Sequence, residues 1–346
     1  MNNVLFADTL TDSRPSHHHQ ESQTDSKFKQ PFAEHGQSSG ELTLRIARPS
    51  ERLAAISHLF KNPVGVARRR MLNWIISLAK NHPKLLSGLL VAGRTSEIEA
   101  AIWLYQLPGR QLNVWLPCFS RSIGETDQLN FLQQVSDRIA KSPSDLAWST
   151  VKPDAAASIS QLQFLGLKEV AELTRMFWQV SETKPVTNHN LSFVNYEHAK
   201  HQRRLVDILN RCEKDSLDCR KLHGTRKTED MLEGHCFRES LTPSNWLILN
   251  EGGKDIGCLL LSRHNTQPEF EVVYLSIVPE ARGRRLGSAM IHHAQKICIE
   301  SNAKRIILTC DGCNLPAWNL YRTCGFEPDG TWKLFAKELT NEPLNR

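Results

Sequence analysis

Near its C-terminus the chain passes from an apolar strand pattern, through R-G-R-R-L-G-S at Arg282–Ser288, into an amphipathic helix pattern. Glu271–Val278 (EVVYLSIV) is rich in β-branched and aromatic residues and ends at Pro279, the signature of a strand and its stop. From Leu286 onward the apolar residues Leu286, Met290, Ala294 and Ile297 recur at helical spacing. A segment with this order folds as strand, tight turn and helix, which is the unit of an α/β domain. The turn delivers the chain straight into a helix N-terminus, whose first N–H groups have no carbonyl partner within the helix. Those groups, the positive end of the helix dipole and the neighbouring guanidinium groups form a site for an anion, and a phosphate-bearing ligand fits it best.

At 346 residues the chain exceeds one typical domain, so two domains are expected. The formal net charge of +6 is modest, with 43 Lys and Arg residues interspersed among 37 Asp and Glu. No long basic stripe is present, so no nucleic-acid partner is expected. Nine cysteines are scattered without a repeating interval, and Met1–Thr11 lacks the basic and apolar regions of a signal peptide. No apolar run reaches the roughly 20 residues that span a bilayer, so no membrane partner is expected either. These features predict a cytoplasmic protein with free thiols.

Residues 1–40 are poor in aliphatics and dense in Ser, Gln, His, Asp and Thr, including His17-His18-His19, and are predicted to be a disordered polar tail. Strand and helix patterns then alternate through 41–182, break at a linker over 183–190, and begin again over 191–340. The first half reads as strands at Leu42–Ala47, Leu89–Gly93, Glu97–Gln106, Gln111–Phe119, Asp145–Val151 and Glu169–Val180, with helices at Glu51–Phe60, Asp127–Lys141 and Ala155–Leu165. The second reads as strand Leu191–Tyr196, helix Ala199–Cys212, a hairpin of Trp246–Asn250 and Asp255–Arg263, and the strand and helix described above. Strand Arg305–Cys310, helix Pro316–Cys324 and strand Thr331–Glu338 complete it. Matching Gly166-Leu167 to Gly325-Phe326 sets Phe164–Val180 beside Thr323–Leu339 without a gap, pairing Ala155 with Asn314 and Leu162 with Tyr321. The chain therefore reads as a direct repeat in which polar residues of the second copy are apolar in the first.

Val273–Pro279, Arg282–Ser288 and Asn314–Phe326 (NLPAWNLYRTCGF) together resemble the GNAT acyltransferases. The turn resembles that family's R/Q-x-x-G-x-G/A pyrophosphate loop, and the later segment resembles its N…A..LY…GF stretch. The motifs cover roughly Glu271–Phe326, and the strand order extends the likeness over Leu191–Leu339. The resemblance implies an α/β (α+β) fold of two tandem GNAT-type domains, each a mixed, mostly antiparallel sheet flanked by helices. The N-terminal copy is degenerate, an organisation similar to that of mycothiol-synthase-like proteins. It further implies acetyl-CoA as co-substrate, an amine-bearing acceptor (small molecule or peptide), and direct transfer between them. The competing implication is a catalytically silent acyl-CoA-binding regulatory or scaffolding protein.

Carried over by motif, Leu275, Ser276 and Ile277 would offer backbone groups to pantetheine, and Arg282, Gly283, Arg284, Arg285, Leu286, Gly287 and Ser288 would hold the pyrophosphate. Arg285 stands where the family's loop has its first glycine. If the backbone needs φ > 0 there the residue is strained, and if only close approach is needed Arg adds a charge for the phosphates. Asn314 would bond the pantetheine arm or cap the next helix. Tyr321 stands where many members place the proton donor for the leaving thiolate; the bland reading is a buried aromatic. The family's carboxylate position is Val273 here. Glu271, roughly 7 Å back along the strand, is offered as general base through a water, with a solvated strand charge as the alternative. Glu269 shares its parity.

Cys310-x-x-Cys313 has no second pair at a zinc-site interval, and Cys212, Cys219, His223, His235 and Cys236 fit no common zinc module, so no metal site is predicted. Asp218–Gly234 occupies the region where GNAT enzymes build acceptor-binding walls. In the first half, Leu116–Asp127 takes the place of the loop with one Gly and one Arg, and Glu125 and Asp127 would repel a pyrophosphate.

Overall fold

Alternating strand and helix patterns become alternating strands and helices in the computed structural model, which describes residues 42–60, 72–73, 75–76, 83–94, 97–180, 192–237, 245–264 and 267–339. The predicted tail at 1–40 and linker at 183–190 lie outside the described residues. The first half contributes β1 (Arg45–Ile46), α1 (Arg52–Leu59), β2 (Leu89–Ala92), β3 (Ala100–Leu107), β4 (Gln111–Phe119), α2 (Glu125–Ala140), β5 (Leu146–Val151), α3 (Ala156–Phe164) and β6 (Lys168–Gln179). The second contributes β7 (Ser192–Asn195), α4 (His198–Glu213), α5 (Thr228–Phe237), β8 (Trp246–Glu251), β9 (Lys254–Arg263), β10 (Glu269–Ile277), α6 (Leu286–Glu300), β11 (Arg305–Asp311), α7 (Leu315–Thr323) and β12 (Glu327–Glu338). Two expectations change: the strand expected over Leu42–Ala47 pairs only at Arg45–Ile46, and the last strand begins at Glu327 instead of Thr331. Asp218–Gly234 also carries the 3-10 turn Arg220–Leu222 and most of α5.

The repeat register holds in three dimensions. Helix Ala156–Phe164 and strand Lys168–Gln179 correspond residue for residue to helix Leu315–Thr323 and strand Glu327–Glu338. The glycines that end the two helices have matching left-handed backbones, φ +83° at Gly166 and +84° at Gly325. A Cβ would be strained in that conformation, which is why glycine closes both helices.

Contact clustering divides the chain into two compact units. The smaller holds residues 6–103 and 117–134; in it β1 pairs with β2 and β2 with β3, both antiparallel. The larger holds 104–116 and 135–346, with strand order β4-β5-β12-β6-β11-β10-β9-β8-β7. Two of its pairs are parallel, β4 with β5 and β10 with β11. Its centre joins the repeats by exchange: β12 of the second copy lies on β5 of the first, and β6 of the first lies on β11 of the second. The exchanged strands also pair with each other.

The core of the larger unit follows from helical periodicity. On α4 the buried residues Leu205, Ile208, Leu209 and Cys212 form one stripe, and on α6 Leu286, Met290, Ala294 and Cys298 form another. Both stripes join one cluster with Trp246, Ile248, Leu259, Leu261, Phe270 and Val272 from the strands. Arg204 fastens α4 to the hairpin with two bonds to Asp255, 2.8 and 2.7 Å. This rigid base holds the strand, turn and helix from which the site is built.

Candidate functional site

Strand β10 pairs with β11 only from Glu269↔Arg305 to Val272↔Leu308. Beyond that point β11 stays with β6 as far as Asp311↔Leu173, while β10 stays with β9 through Leu275↔Leu259, Ser276↔Cys258 and Ile277↔Gly257. The two strands therefore part, and residues 273–277 turn one edge of unpaired backbone groups towards the opening. The parting coincides with a register shift between Val272 and Tyr274, a bulge that puts an extra residue, Val273, into β10. Leu275, Ser276 and Ile277 thus lie on an edge able to accept a strand-like ligand.

At the end of β10 a 3-10 turn, Pro279–Ala281, leads into the Gly/Arg turn and α6. Arg282 shapes this turn and is not left for an anion. Its backbone N–H donates to Pro279 O, and its guanidinium to the carbonyls of Ile277 (3.0 Å), Cys212 (3.0 Å) and Lys214 (3.3 Å). Arg284 is held by Glu251 in a two-pronged pair, 2.6 and 2.9 Å, and that hydrogen bonding lowers the Glu251 carboxyl from its usual pKa. Arg285 is exposed and its guanidinium meets no partner among the described residues. Its backbone is left-handed, φ +60°, so the strained alternative is the one adopted, at about 1–2 kcal/mol for a residue with a Cβ. Gly283 is also left-handed, φ +77°.

The first backbone bond of α6 outside the regular ladder runs from Ala289 N–H to Arg285 C=O. The N–H groups of Leu286, Gly287 and Ser288 precede it and open on the turn. Gly287 has a second reason to be glycine, because a Cβ there would come within 2.9 Å of Leu320 Cδ2 on α7. Substitution at Gly287 disturbs the contact of α6 with α7 as well as the turn. The Ser288 hydroxyl is bonded to the Cys324 thiol, whose pKa burial raises against that bond.

On the far side of the opening, Asn314 caps α7 by accepting from Ala317 N–H at 3.3 Å, so its capping role is formed. Tyr321 is 8% exposed, its ring 5.9 Å from that of Phe326, and burial pushes its hydroxyl well above the ordinary tyrosine pKa. Glu271 is not a solvated strand charge. It is 6% exposed, in the stretch of β10 still paired with β11, and accepts from His264 Nε2 at 3.2 Å. His264 Nδ1 faces Glu269 at 3.0 Å, and Glu269 is bound in turn by Arg305. Burial works against charge on His264, but the hydrogen bonds to Glu269 and Glu271 prevail and its pKa is raised. Glu271 thus belongs to a buried charge chain ahead of the opening, while Tyr321, Asn314, the β10 edge and the turn surround it.

Asp218 was not singled out in the sequence, although it begins the segment assigned to the acceptor wall. Its carboxylate, the Cys219 thiol and the Asp311 carboxylate lie within 4.8 Å of one another. Asp311 already accepts the N–H groups of Cys219 and Cys313, each at 2.8 Å, which explains its place as a structural hub. All nine cysteines are free thiols.

The first repeat also has a parallel pair at its centre. Strands β4 and β5 also pair over only three positions, Gln111↔Leu146 to Asn113↔Trp148. Here Asn113 donates across to Trp148 O at 3.3 Å, and Trp148 Nε1 to Gln111 Oε1 at 3.1 Å. In the smaller unit the first turn of α2 carries Glu125 and Asp127, and Asp127 is engaged by Arg94. Carboxylates at a helix N-terminus stabilise the helix and repel an anion.

A strand parted from its parallel neighbour is thus followed by a Gly/Arg turn and an open helix N-terminus. Residues 204–326 match the model of the acetyltransferase (GNAT) family. The protein named "Putative ribosomal protein bS18-alanine N-acetyltransferase" in Bacillus subtilis (strain 168) is 35% identical over 76 residues, 22% of this chain and 50% of that one. The chain thus spans about half the length of that relative. A GCN5-related N-acetyltransferase from Sphaerobacter thermophilus is similar in structure over 86% of this chain and 96% of its own, with TM-score 0.58 at 15% identity. A tandem GNAT protein from the clavulanic acid biosynthesis pathway covers 87% of this chain and 100% of its own, with TM-score 0.52 at 12% identity. The tandem architecture expected from the repeat is therefore the observed one.

Among the described residues no helix is long and apolar enough to cross a membrane.

Proposed function

We propose that the second repeat transfers an acetyl group from acetyl-CoA directly to an amine, small molecule or peptide, within a ternary complex. The observation that carries this reading is the parting of β10 from β11 immediately before the open N-terminus of α6. Leu275, Ser276 and Ile277 pair with the pantetheine arm, as a neighbouring strand would. The N–H groups of Gly283–Ser288 and the Arg285 guanidinium hold the pyrophosphate. Asn314 holds the start of α7 by its cap, and Tyr321 donates a hydrogen bond to sulfur as negative charge develops there. A free thiol has a pKa near 8.5, and burial raises Tyr321 above its ordinary value, so the hydroxyl stays protonated and acts as a donor. The relative's name points to a peptide α-amine as one acceptor of this class.

A silent acyl-CoA-binding module is favoured by one feature: β10 has Val273, with no carboxylate, at the bulge. The cofactor half of the reading is tested at Arg285. Replacing Arg285 by Gly removes the left-handed strain and should raise stability by about 1 kcal/mol. It also removes a charge-assisted contact and should weaken acetyl-CoA binding about 10-fold, read by calorimetry. Unchanged affinity would remove the pyrophosphate from this turn.

A further inference from the structure

Amine acylation needs somewhere to put the proton that nitrogen sheds, and an amine of pKa near 10 is about one part in a thousand free at pH 7. Neither Val273 nor the paired Glu271 meets that need at the opening. The segment between α4 and α5 does bring a carboxylate there. Its first turn is anchored to the Gly/Arg turn, since Arg282 donates to the carbonyls of Cys212, Lys214 and Asp215. Its far end is anchored to the tip of β11, since Cys219 N–H donates to Asp311 Oδ2 at 2.8 Å. Residues 212–219 therefore span from one side of the opening to the other. Two residues in this short span, Asp215 at φ +58° and Cys219 at φ +46°, hold left-handed backbones without being glycine. Strain of this kind persists only where the surrounding bonds impose it, and it collects at functional sites.

Asp218 lies on this span beside the Cys219 bend. Its charge acts on Tyr321 on α7, on Tyr274 at the β10 bulge and on Cys310 on β11, groups that border the opening. No Lys or Arg pairs with it among the described residues; besides those three, the groups that act on it are the N-terminal ammonium, Asp311, Cys219 and His223, the last bonding its carbonyl oxygen at 2.8 Å. A carboxylate with an acidic neighbour and no Lys or Arg partner, on which an ammonium already acts, is a seat for a cationic or proton-bearing group, and an acceptor amine is such a group.

We infer that Asp218 binds the acceptor amine and takes its proton during transfer. The inference rests on the acetyl-transfer reading above. As the amine nitrogen forms its bond to the acetyl carbon, its N–H proton passes to the Asp218 carboxylate. The carbon–sulfur bond breaks, and the sulfur leaves with the electron pair as thiolate, held by the Tyr321 hydroxyl. The thiolate takes a proton from solvent and Asp218 returns one, so the net products are the amide and the free thiol. Burial and the charge of Asp311 raise the Asp218 pKa, against the pull of the N-terminal ammonium and His223, which makes it a better base than a surface aspartate.

The test compares Asp218→Asn with the wild-type full chain on any amine the wild type acetylates. The variant should lose about 10²- to 10³-fold in kcat. It should also lose the fall in rate that the wild type shows as pH drops through the raised Asp218 pKa, while acetyl-CoA affinity by calorimetry stays the same. A weakly basic acceptor such as methoxyamine, unprotonated at the assay pH, should recover most of the rate. Because a buried carboxylate is harder to charge in the fold, Asp218→Asn should melt no lower than wild type at pH 7. A variant that melts lower, or that keeps its kcat and acidic limb, overturns the assignment. A wild type inactive on every amine contradicts the transfer reading itself, which separates the two failures.

Discussion

A chain ending at Phe326, without β12, is expected to lose the fold of both repeats. Strand β12 lies between β5 and β6 and pairs with each, so its removal bares two strand edges at once. It also withdraws Trp332, Leu334 and Phe335, all within 1% of full burial. At about 1.5–3 kcal/mol for each large apolar side chain, the loss is comparable with the entire stability of a domain, about 5–15 kcal/mol. Exposed edges add a route to aggregation. The same exchange predicts that residues 191–346 expressed alone will not form a stable monomer, since β6, the partner of β11, is missing. Size-exclusion chromatography and thermal melting by circular dichroism read both fragments. A cooperative monomer of 191–346, with β12 moved onto β11, would contradict the exchange.

Tyr321→Phe should lower kcat about 100-fold and leave acetyl-CoA affinity within a factor of two. The substitution keeps the ring beside Phe326 and removes only the hydroxyl, so no core cavity opens and the melting temperature should hold. The sign of the pH dependence follows from burial. A hydroxyl pushed above the ordinary tyrosine value stays protonated through the assay range, so the wild type should show no loss of rate up to about pH 10 from this group. Steady-state kinetics at several pH values measures both effects. If Tyr321→Phe retains wild-type turnover, the residue is only a packed aromatic.

Much of this arrangement was legible because periodicity and turn chemistry are local. The stripe Leu286, Met290, Ala294 and the stop at Pro279 located α6 and β10, and the glycines at 166 and 325 set the repeat register that the helices and strands then followed. Pairing between distant segments was not legible. Nothing in Lys168–Gln179 or Glu327–Glu338 says which half's sheet the strand completes, because either neighbour satisfies its backbone and its apolar face. The surroundings of individual site residues were hidden for the same reason. Arg282 resembles a phosphate ligand in one dimension, yet in three dimensions the carbonyls of Cys212 and Lys214 meet its guanidinium. Glu271 resembles a strand charge until His264, seven residues away, is seen to bond it. Strand alternation tied Glu271 to Val273, and the bulge breaks that alternation. Asp218 carries no motif at all; its placement comes from Arg282 and Asp311 anchoring the two ends of its loop.

The proposed function makes the second repeat an acetyltransferase with one acyl-CoA site. Thiol release from acetyl-CoA, followed over a panel of small amines, lysine and peptides with a free N-terminal alanine, tests it most directly. Release is expected to depend on at least one amine and to fall about 100-fold in Tyr321→Phe. Acetyl-CoA that binds but is never cleaved faster with any amine present would contradict it, and would leave an acyl-CoA-binding module in its place.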